Sequence, residues 1–301
     1  MNKKALVTGA GGFLGSHLVE FLISKNIEVY NLGNTKAKNC NHVYLKSISE
    51  KEEIQRILST VNPDYLFHLA GSSDFSLDLA SMELVNIKFI ESILSAITAS
   101  GLENSIKIIV TGSSSEYGQI SPDELPIKES LKPKPINIYG ATKLAQTKKA
   151  LIWQKPNKQL LVIRPFNIIG KGMPSSLALG SFSEQIHKKV NGDRLDTGNL
   201  DSQRDFIDAY DVVNLMWKLI NNDNSFGEII NICSGKPTQL RDAVNNMIKI
   251  SEKDIILDID QSRESKNNVK IHYGDNSKLL ELVGKYNFIP WKKTIYGMVK
   301  N

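Results

Sequence analysis

Short apolar runs alternate along the chain with longer segments in which apolar residues recur at helical spacing. Apolar runs of about four to eight residues are typical of buried strands, and recurrence with a period near 3.6 residues indicates helices. The predicted strands are Lys4–Thr8, Glu28–Leu32, Val43–Leu45, Tyr65–Leu69, Lys107–Thr111, Leu160–Ile163 and Glu228–Ile232. The predicted helices are Phe13–Ser24, Glu50–Leu58, Ala80–Ala99, Ile138–Trp153, Ser183–Val190, a segment that follows Asp205–Asp211 and ends near Asn221, and Leu240–Ile250.

Repetition of strand and then helix predicts a parallel sheet with helices on both faces. Because such crossovers are right-handed almost without exception, we expect an α/β fold with a doubly wound (Rossmann) parallel sheet. After the sixth strand the rhythm changes, and the segment Gly170–Gly180, rich in Gly, Pro and Ser, is predicted to be a loop. We expect a larger lobe from residues 1–165 and 205–235 and a smaller, discontinuous α/β lobe from residues 166–204 and 236–301.

The composition is that of an ordinary globular protein, with 301 residues of which 41% are apolar and 23% charged. Charges interrupt the apolar runs before membrane-spanning length, and the start of the chain has no apolar region of a signal peptide, so neither is expected. Cys40 and Cys233 belong to no CxxC pair or histidine cluster, which predicts a reduced, cytoplasmic protein without a structural metal. The 37 basic residues are scattered among 32 acidic ones. This charge pattern does not favour nucleic-acid binding, but its positive balance favours small anionic ligands.

A glycine-rich turn joins the first predicted strand to the first predicted helix. Gly9, Gly12 and Gly15 stand three residues apart in this turn. Glycine there permits a tight turn, close approach of the backbone to a pyrophosphate, and packing of the helix against the strand. The helix N-terminus adds N–H donors and a positive dipole end. A plain turn is the alternative interpretation, but the position after the first strand favours a dinucleotide site and makes the larger lobe the dinucleotide-binding domain.

The end of the second strand carries the signal for the choice of cofactor. An NAD site usually has an acidic residue there, which binds the ribose 2′-hydroxyl. This chain has Gly33 in that place, followed by Asn34, Lys36 and Lys38. The missing carboxylate removes repulsion toward a 2′-phosphate, and the lysines would attract it, unless both are simply solvated loop residues. We expect NADP as the preferred cofactor, with NAD as the alternative.

Side chains suited to carbonyl chemistry follow the fifth strand and begin the next helix. Tyr139 and Lys143 are four residues apart, so they share one helical face. A lysine ammonium beside a phenol is expected to lower the tyrosine pKa toward the working pH. Ser113, at the strand end, can hold a substrate oxygen next to that phenol. A Tyr/Lys pair alone would indicate only a surface helix, but together with the dinucleotide turn and the Ser-rich strand end it predicts a catalytic trio.

These motifs resemble those of the extended short-chain dehydrogenases/reductases that act on nucleotide sugars, over essentially the whole chain. The segments that carry the resemblance, besides the glycine turn, are His68–Gly71, Ser113–Gly118, Tyr139–Lys143, Arg164–Asn167, Gln203–Asp208, Asn231–Gly235 and Phe288–Trp291. Within the family the chain most resembles GDP-6-deoxy-4-keto-mannose reductases, through Arg164–Gly170, Ser202–Phe206 and Asn231–Gly235. The resemblance implies NADP or NAD as cofactor and a nucleotide-sugar substrate bound by the smaller lobe.

The resemblance also implies roles for individual residues. It makes Ser113, Tyr139 and Lys143 the catalytic residues. Together with the residues after the second strand, the expected cofactor-binding residues are Gly9, Gly12, Phe13, Leu14, Gly15, Asn34, Lys36, Ser47, Ile48, Leu69, Ala70, Gly71, Tyr139, Lys143 and Phe166. The expected substrate-binding residues are Ser73, Ser114, Ser115, Asn167, Arg204 and Arg263. The two arginines would grip the diphosphate or the nucleotide, because a fixed fork of donors suits phosphate.

Two departures from the family pattern bear on function. Sugar 4,6-dehydratases carry an Asp-Glu pair directly after the catalytic hydroxyl residue, and here Ser114 and Ser115 take those places, which disfavours dehydration. Glu116 comes one position later and is expected to point elsewhere. The aspartate that usually contacts the adenine corresponds to Ser47, before Ile48, so this contact is expected to be weaker or to use the backbone.

The leading hypothesis is a reductase that transfers hydride from NAD(P)H to C4 of a nucleotide-linked 4-keto-6-deoxy sugar. An NAD-dependent nucleotide-sugar 4-epimerase is the alternative, because it uses the same trio. A non-catalytic dinucleotide sensor is disfavoured because the trio is complete. The resemblance further implies a homodimer through a four-helix bundle formed by the helices near residues 80–99 and 138–153. The sequence leaves open the nucleotide base, the sugar stereochemistry and the product epimer.

Overall fold

The computed structural model describes residues 2–73, 78–154, 158–260 and 269–300. Its strands are β1 (Lys4–Thr8), β2 (Glu28–Gly33), β3 (Asn41–Tyr44), β4 (Tyr65–His68), β5 (Lys107–Thr111), β6 (Gln159–Pro165), β7 (Asn167–Ile169), β8 (Arg194–Thr197), β9 (Gln203–Asp208), β10 (Ile229–Ile232), β11 (Pro237–Gln239), β12 (Ile256–Ile259) and β13 (Ile271–His272). Seven of them form one sheet in the order β10-β6-β5-β4-β1-β2-β3. Every neighbouring pair in it is parallel. The predicted doubly wound parallel sheet is therefore confirmed.

The structure has helices on both faces of this sheet and in a smaller layer described below. They are α1 (Phe13–Ser24), α2 (Lys51–Val61), α3 (Leu79–Glu83), α4 (Phe89–Ala99), α5 (Ile138–Trp153), α6 (Ala178–Lys188), α7 (Ala209–Ile220), α8 (Leu240–Ser251), α9 (Ser277–Val283) and α10 (Trp291–Lys300). On one face, Leu18 and Leu22 of α1 and Met216 of α7 belong to one apolar core. On the other face, Ile54 of α2 and Ile93 of α4 belong to a second core. No helix of the described residues combines the length and apolarity needed to cross a membrane.

The predicted helix over residues 80–99 is wrong in one respect, because it is not a single regular α-helix. A π-helical turn, Leu84–Lys88, joins α3 to α4. An extra residue in a helical turn rotates the side chains that follow it, and such turns are frequent at functional sites. Here the turn buries the amide of Asn86 completely.

The remaining strands and helices form a smaller layer around a third core. Strand β9 pairs with β7, β11 and β13, and β8 pairs with β12. The core residues come from several helices and include Leu179, Phe182, Ala243, Val244, Met247 and Ile295. Two expectations were wrong here: α6 begins at Ala178, inside the predicted loop, and β9 is a strand where only an approach to a helix was expected. The division into two lobes with the stated boundaries stays a prediction.

Strand β9 was missed because its sequence is polar. Buried Asp205 would oppose a central strand if its carboxylate lacked partners. The carboxylate accepts hydrogen bonds from the backbone N–H and hydroxyl of Ser234 and from the N–H groups of Gly235 and Gly274. These donors come from distant parts of the chain, so a local pattern could not show them.

Candidate active site

The turn after β1 has glycine where no side chain would fit. Gly9 has a φ of +73°, and a Cβ atom there would lie 2.8 Å from the backbone nitrogen of Ala70. A Cβ atom at Gly15 would overlap the carbonyl oxygen of Gly9. Helix α1 begins after Gly12, and no side chain of the described residues caps its first N–H groups. These N–H groups are therefore free donors at a helix N-terminus, which fits a pyrophosphate.

A cleft of about 440 Å³ runs from this turn along the carboxyl ends of β1, β2 and β4, and we call it the cofactor cleft. Its lining residues are Gly9–Gly12, Asn31–Thr35, Ile48, Leu69–Gly71, Val85 and Phe89. The predicted cofactor residues that it brings together are Gly9, Gly12, Asn34, Ile48, Leu69, Ala70 and Gly71. A groove at the carboxyl ends of parallel strands is where doubly wound sheets bind dinucleotides, so the residues present fit that cofactor.

Four other predicted cofactor residues lie beside this cleft rather than in its wall. Leu14 packs its side chain against the core, so only its backbone could reach a phosphate. Ser47 precedes Ile48, and its hydroxyl accepts from a backbone N–H of its own loop. Lys36 is exposed on the loop after β2. Phe13 lines the second cleft described below.

The end of β2 presents only uncharged groups to the cofactor cleft. Gly33 is the last residue of the strand, and Asn34 and Thr35 follow it in the lining. Asn31 holds this loop, because its Nδ2 donates to the carbonyl oxygen of Thr35 at 2.7 Å and lies 3.0 Å from Nδ1 of His42. Among the described residues, no carboxylate therefore lies where it would repel a 2′-phosphate.

A second cleft of about 400 Å³ contains the predicted catalytic hydroxyls, and we call it the catalytic cleft. Its lining residues are Phe13, Ser73, Thr111–Ser115, Tyr139, Pro165–Ile168, Met173, Leu177–Leu179, Ser202, Arg204, Phe206 and Leu240. Ser113 and Tyr139 share this lining, and the Ser113 side chain lowers the pKa of Tyr139 against the effect of burial. Within the described residues no group of His, Cys, Asp or Glu side chains could hold a metal ion.

Local sequence places Tyr139 against the turn that carries Ser113. The side chain of Asn137 accepts from the N–H of Gly140 at 2.7 Å, so α5 begins at Ile138 and Tyr139 lies in its first turn. A Cβ atom at Gly140 would lie 2.5 Å from the carbonyl oxygen of Ser115, so glycine lets the helix approach this close. This approach brings the first turn of α5 against the turn that carries Ser113.

Lys143 lies beside the cofactor cleft, one helical turn after Tyr139 on α5. Its side chain is 3% exposed. Its Nζ donates to Oε1 of Gln146 at 2.8 Å. The same Nζ lies 3.4 Å from the place of a Cβ atom at Gly71, which lines the cofactor cleft. The ammonium is therefore placed to act on a bound cofactor.

The pKa of Tyr139 is shifted in the direction opposite to the one expected from the sequence. Burial raises the pKa of Tyr139 above its usual range, although the hydrogen bond from Ser113 opposes this. Burial lowers the pKa of Lys143 to about 8, and the charge of Glu116 opposes this. The predicted lowering of the tyrosine pKa is wrong for this structure, because loss of solvation raises it and the ammonium of Lys143 donates to Gln146 instead. Tyr139 is therefore protonated at neutral pH, the form that can donate a proton.

The predicted substrate residues on β7 and β9 lie on the far wall of the catalytic cleft. Nδ2 of Asn167 donates to the carbonyl oxygen of Asp205 at 3.3 Å. Arg204 donates to the carbonyl oxygen of Gln203 at 2.8 Å. Among the described residues no carboxylate pairs with Arg204, and burial lowers its pKa. A half-buried guanidinium without an acidic partner fits an anionic ligand.

The other predicted residues of this cleft are brought together as follows. Ser73, Ser114 and Ser115 line it, and Ser114 is buried. Phe166 lines it after β6, with its ring centroid 5.2 Å from that of His272. Arg263 lies outside the described residues.

Two polar residues of the site escaped sequence analysis. The hydroxyl of Thr111 lines the catalytic cleft, is buried and has no hydrogen-bond partner among the described residues. Asn86, on the π-helical turn, donates to the hydroxyl of Thr142 at 2.9 Å and accepts from the N–H of Ser72 at 2.8 Å. It therefore joins α5 to the segment after β4. No local signal marks either residue, because both depend on where the strand end and the helical turn lie in space.

Comparison with known proteins gives one family and several relatives. A family model described as the NAD dependent epimerase/dehydratase family matches residues 5–233. The chain is 28% identical to GDP-6-deoxy-D-mannose reductase of Pseudomonas aeruginosa, covering 98% of this chain and 93% of that protein. It is 27% identical to GDP-6-deoxy-D-talose 4-dehydrogenase of Aggregatibacter actinomycetemcomitans, covering 99% and 97%. The solved structure of RMD from Pseudomonas aeruginosa complexed with NADPH is 27% identical, with a TM-score of 0.83 and coverage of 99% and 97%.

Proposed function

Because this chain belongs to the NAD dependent epimerase/dehydratase family, we propose that it is an NAD(P)H-dependent reductase of a nucleotide-linked 4-keto-6-deoxy sugar. Membership confirms the predicted family and the predicted cofactor class, NADP or NAD. We propose GDP as the nucleotide, because both relatives have a GDP-6-deoxy sugar in their names. The reaction reduces the C4 carbonyl of the sugar to an alcohol.

The observation that carries the proposal is the chemistry of the catalytic cleft. Its polar lining consists of hydroxyl, amide and guanidinium groups, and no carboxylate of the described residues lines it. Elimination of water from a sugar needs a base that removes a carbon-bound proton, and Ser114 and Ser115 cannot supply one. Reduction of a carbonyl needs a hydride, which the dinucleotide would supply, and a proton, which Tyr139 can donate. The cleft therefore supports reduction over dehydration.

The chain's own groups prepare the carbonyl for reduction. The dinucleotide, when bound along the glycine turn and the ends of β2 and β4, supplies the hydride. Ser113 donates a hydrogen bond to the C4 oxygen and holds it next to Tyr139. As the oxygen gains negative charge, the phenol of Tyr139 transfers its proton to it and becomes phenolate. The ammonium of Lys143 stabilises that phenolate, which otherwise would be costly in a buried site.

The preferred cofactor is NADPH. The lining of the cofactor cleft at Gly33, Asn34 and Thr35 has no negative charge that would oppose a 2′-phosphate. Lys36 and Lys38 are exposed on the same loop and can approach such a phosphate. An exposed charge pair of this kind is worth roughly 1 kcal/mol.

We also propose that the protein is a cytoplasmic homodimer. The helices near residues 80–99 and 138–153 expose large apolar side chains that suit a four-helix bundle with a second copy. These are Leu79, Leu84, Ile138 and Ile152, with exposures of 51%, 41%, 48% and 74%. A monomer by sedimentation at micromolar concentration would contradict the dimer.

The deciding experiment mixes the purified protein with NADPH and GDP-4-keto-6-deoxymannose and follows the loss of NADPH absorbance. We expect stoichiometric oxidation of NADPH and one C4 epimer of the product, identified by NMR. The dTDP-, UDP- and CDP-linked 4-keto sugars, tested in parallel, report on the nucleotide. No oxidation with any of them, together with retained NAD and redox-neutral interconversion of C4 epimers, would replace the reductase by the 4-epimerase.

A further inference from the structure

A buried ion pair lies directly behind the catalytic trio. Glu116 is fully buried, and Arg164 is 2% exposed. Oε2 of Glu116 accepts from Nε and Nη2 of Arg164 at 2.9 and 2.8 Å. Its Oε1 accepts from the backbone N–H of Ser113 and from the hydroxyl of Thr147, both at 2.9 Å. Both oxygens therefore accept two hydrogen bonds each, which satisfies the carboxylate.

These hydrogen bonds join three elements of the active site. Ser113 stands at the turn after β5, Thr147 lies one helical turn beyond Lys143 on α5, and Arg164 is near the end of β6. The single carboxylate of Glu116 thus ties the turn that carries the catalytic serine to the helix that carries the catalytic lysine. Stability alone does not explain the pair, because desolvation of two buried charges offsets much of their attraction.

The surrounding chain is built to accommodate this carboxylate. A Cβ atom at Gly112 would overlap Oε1 of Glu116, so glycine is required there. The guanidinium of Arg164 lies 4.7 Å from the ring centroid of Tyr117. The hydroxyl of Tyr117 in turn donates to Oδ1 of Asn231 at 2.7 Å. The position of Glu116 is therefore fixed from several sides.

We propose that Glu116 is a positioning residue for the reduction, whose carboxylate orients Ser113 against Tyr139 and supplies the negative charge that faces the ammonium of Lys143. The proposal rests on the reductase function proposed above. It gives a role to Glu116, for which the sequence predicted only that its side chain points elsewhere.

The charged and titratable groups around these residues are few. Lys143 is faced by Glu116 from the turn after β5 and by His68 from the end of β4. Burial lowers the pKa of His68 to about 3, so His68 is neutral at working pH. Burial raises the pKa of Glu116, and the guanidinium of Arg164 opposes this, so we expect an ionised carboxylate at neutral pH.

Removal of the charge of Glu116 should therefore destabilise the protonated form of Lys143. The carboxylate raises the pKa of Lys143 against the effect of burial. In Glu116→Gln this attraction is lost while Arg164 remains, so the pKa of Lys143 falls below that of the parent. A purely structural role of Glu116 would not move this value.

The first test measures the pKa of Lys143 in the ligand-free protein by NMR of lysines labelled at the ε-carbon, with the signal assigned by Lys143→Met. We expect a fall of about half a pH unit or more in Glu116→Gln. Glu116→Asp keeps the charge, so its Lys143 should titrate within about 0.2 units of the parent. The matched control is Asp211→Asn, because Asp211 is also a buried carboxylate, but it accepts from Tyr286 and Ile289 away from the clefts.

The second test measures turnover of the keto sugar. We expect kcat to fall about tenfold in both Glu116→Gln and Glu116→Asp, with KM for NADPH changed less than about threefold, because the geometry of Ser113 is disturbed in both. Thr147→Val keeps the ion pair and removes only the bond to α5, so it should lower kcat by about threefold in a protein that still folds, with a melting temperature below that of the parent.

The outcomes separate this proposal from the reductase function. An inactive parent protein would contradict the reductase function alone, and the NMR titration would still decide whether Glu116 acts on Lys143. A folded Glu116→Gln with a parental Lys143 pKa would overturn the proposal, as would parental kcat in that variant. If Glu116→Gln does not fold, Thr147→Val decides, and a parental kcat there would overturn the positioning role.

Discussion

The cofactor cleft and the catalytic cleft are built from different materials. The cofactor cleft is shaped mainly by backbone, with glycine at the places where the chain passes closest to itself. The catalytic cleft is lined by side chains from the turn after β5, from α5, and from β6, β7 and β9. A backbone-built cleft fails when a side chain intrudes, whereas a cleft built from side chains fails when a proton or a charge is lost. The comparison therefore predicts different kinds of sensitivity in each cleft.

Tyr139→Phe should break the catalytic cleft and leave the cofactor cleft intact. Loss of the phenolic proton donor is expected to lower kcat about a thousandfold, because the hydroxyl of Ser113, which also contacts the C4 oxygen, is a much weaker acid. Stopped-flow turnover measures this, and NADPH titration should give the parental Kd. A kcat within tenfold of the parent would mean that another group donates the proton.

Gly15→Ala should do the reverse. Its Cβ atom would overlap the carbonyl oxygen of Gly9, so the turn must shift, and we expect NADPH affinity to fall about a hundredfold, or roughly 2.7 kcal/mol. Isothermal titration measures the affinity. The matched control is Gly11→Ala, because the nearest atom to a Cβ there is the carbonyl oxygen of Lys36 at 3.4 Å. The thermal stability of Gly11→Ala should stay parental. An equal loss of NADPH affinity in both variants would contradict the steric explanation.

Gly33→Asp tests whether one side chain can override the backbone of the cofactor cleft. We expect the parent to prefer NADPH roughly five- to a hundredfold in kcat/KM, at 1.4 kcal/mol for each factor of ten. The new carboxylate would accept from a 2′-hydroxyl and repel a 2′-phosphate, so the preference should reverse to NADH. Kinetics with both cofactors decide. A parent that prefers NADH, with little change in the variant, would show that the strand end is not the selecting position.

The pH dependence tests the side-chain chemistry of the catalytic cleft. Lys143 has a pKa of about 8, so its ammonium is present below that pH and is lost as pH rises through it. The reduction rate should therefore be level near neutral pH and fall up to about tenfold for each unit above 8. A profile of kcat/KM against pH measures this, and in Lys143→Met the fall above pH 8 should be absent. A flat profile to pH 10 would remove Lys143 from the mechanism.

The sheet and the cofactor cleft could be predicted because their signals are local. The strands are continuous apolar runs, and Gly9, Gly12 and Gly15 follow the first of them at a spacing that only a tight turn requires. Ser113 and Tyr139 could be predicted as partners because each stands at the end or start of a recognisable element. The structure places the glycine turn, Ser113 and Tyr139 at the carboxyl edge of one sheet.

Only the tertiary structure decided which distant residues are in contact and how deeply they are buried. Glu116 and Arg164 are 48 residues apart, and no spacing rule pairs them. The raised pKa of Tyr139 follows from loss of solvent, which depends on everything packed around it and not on Lys143 four residues away. Composition and periodicity determine which segments become strands and helices, because those depend on neighbours in the chain. Charge, protonation and orientation in the site depend on neighbours in space, and these exist only after folding.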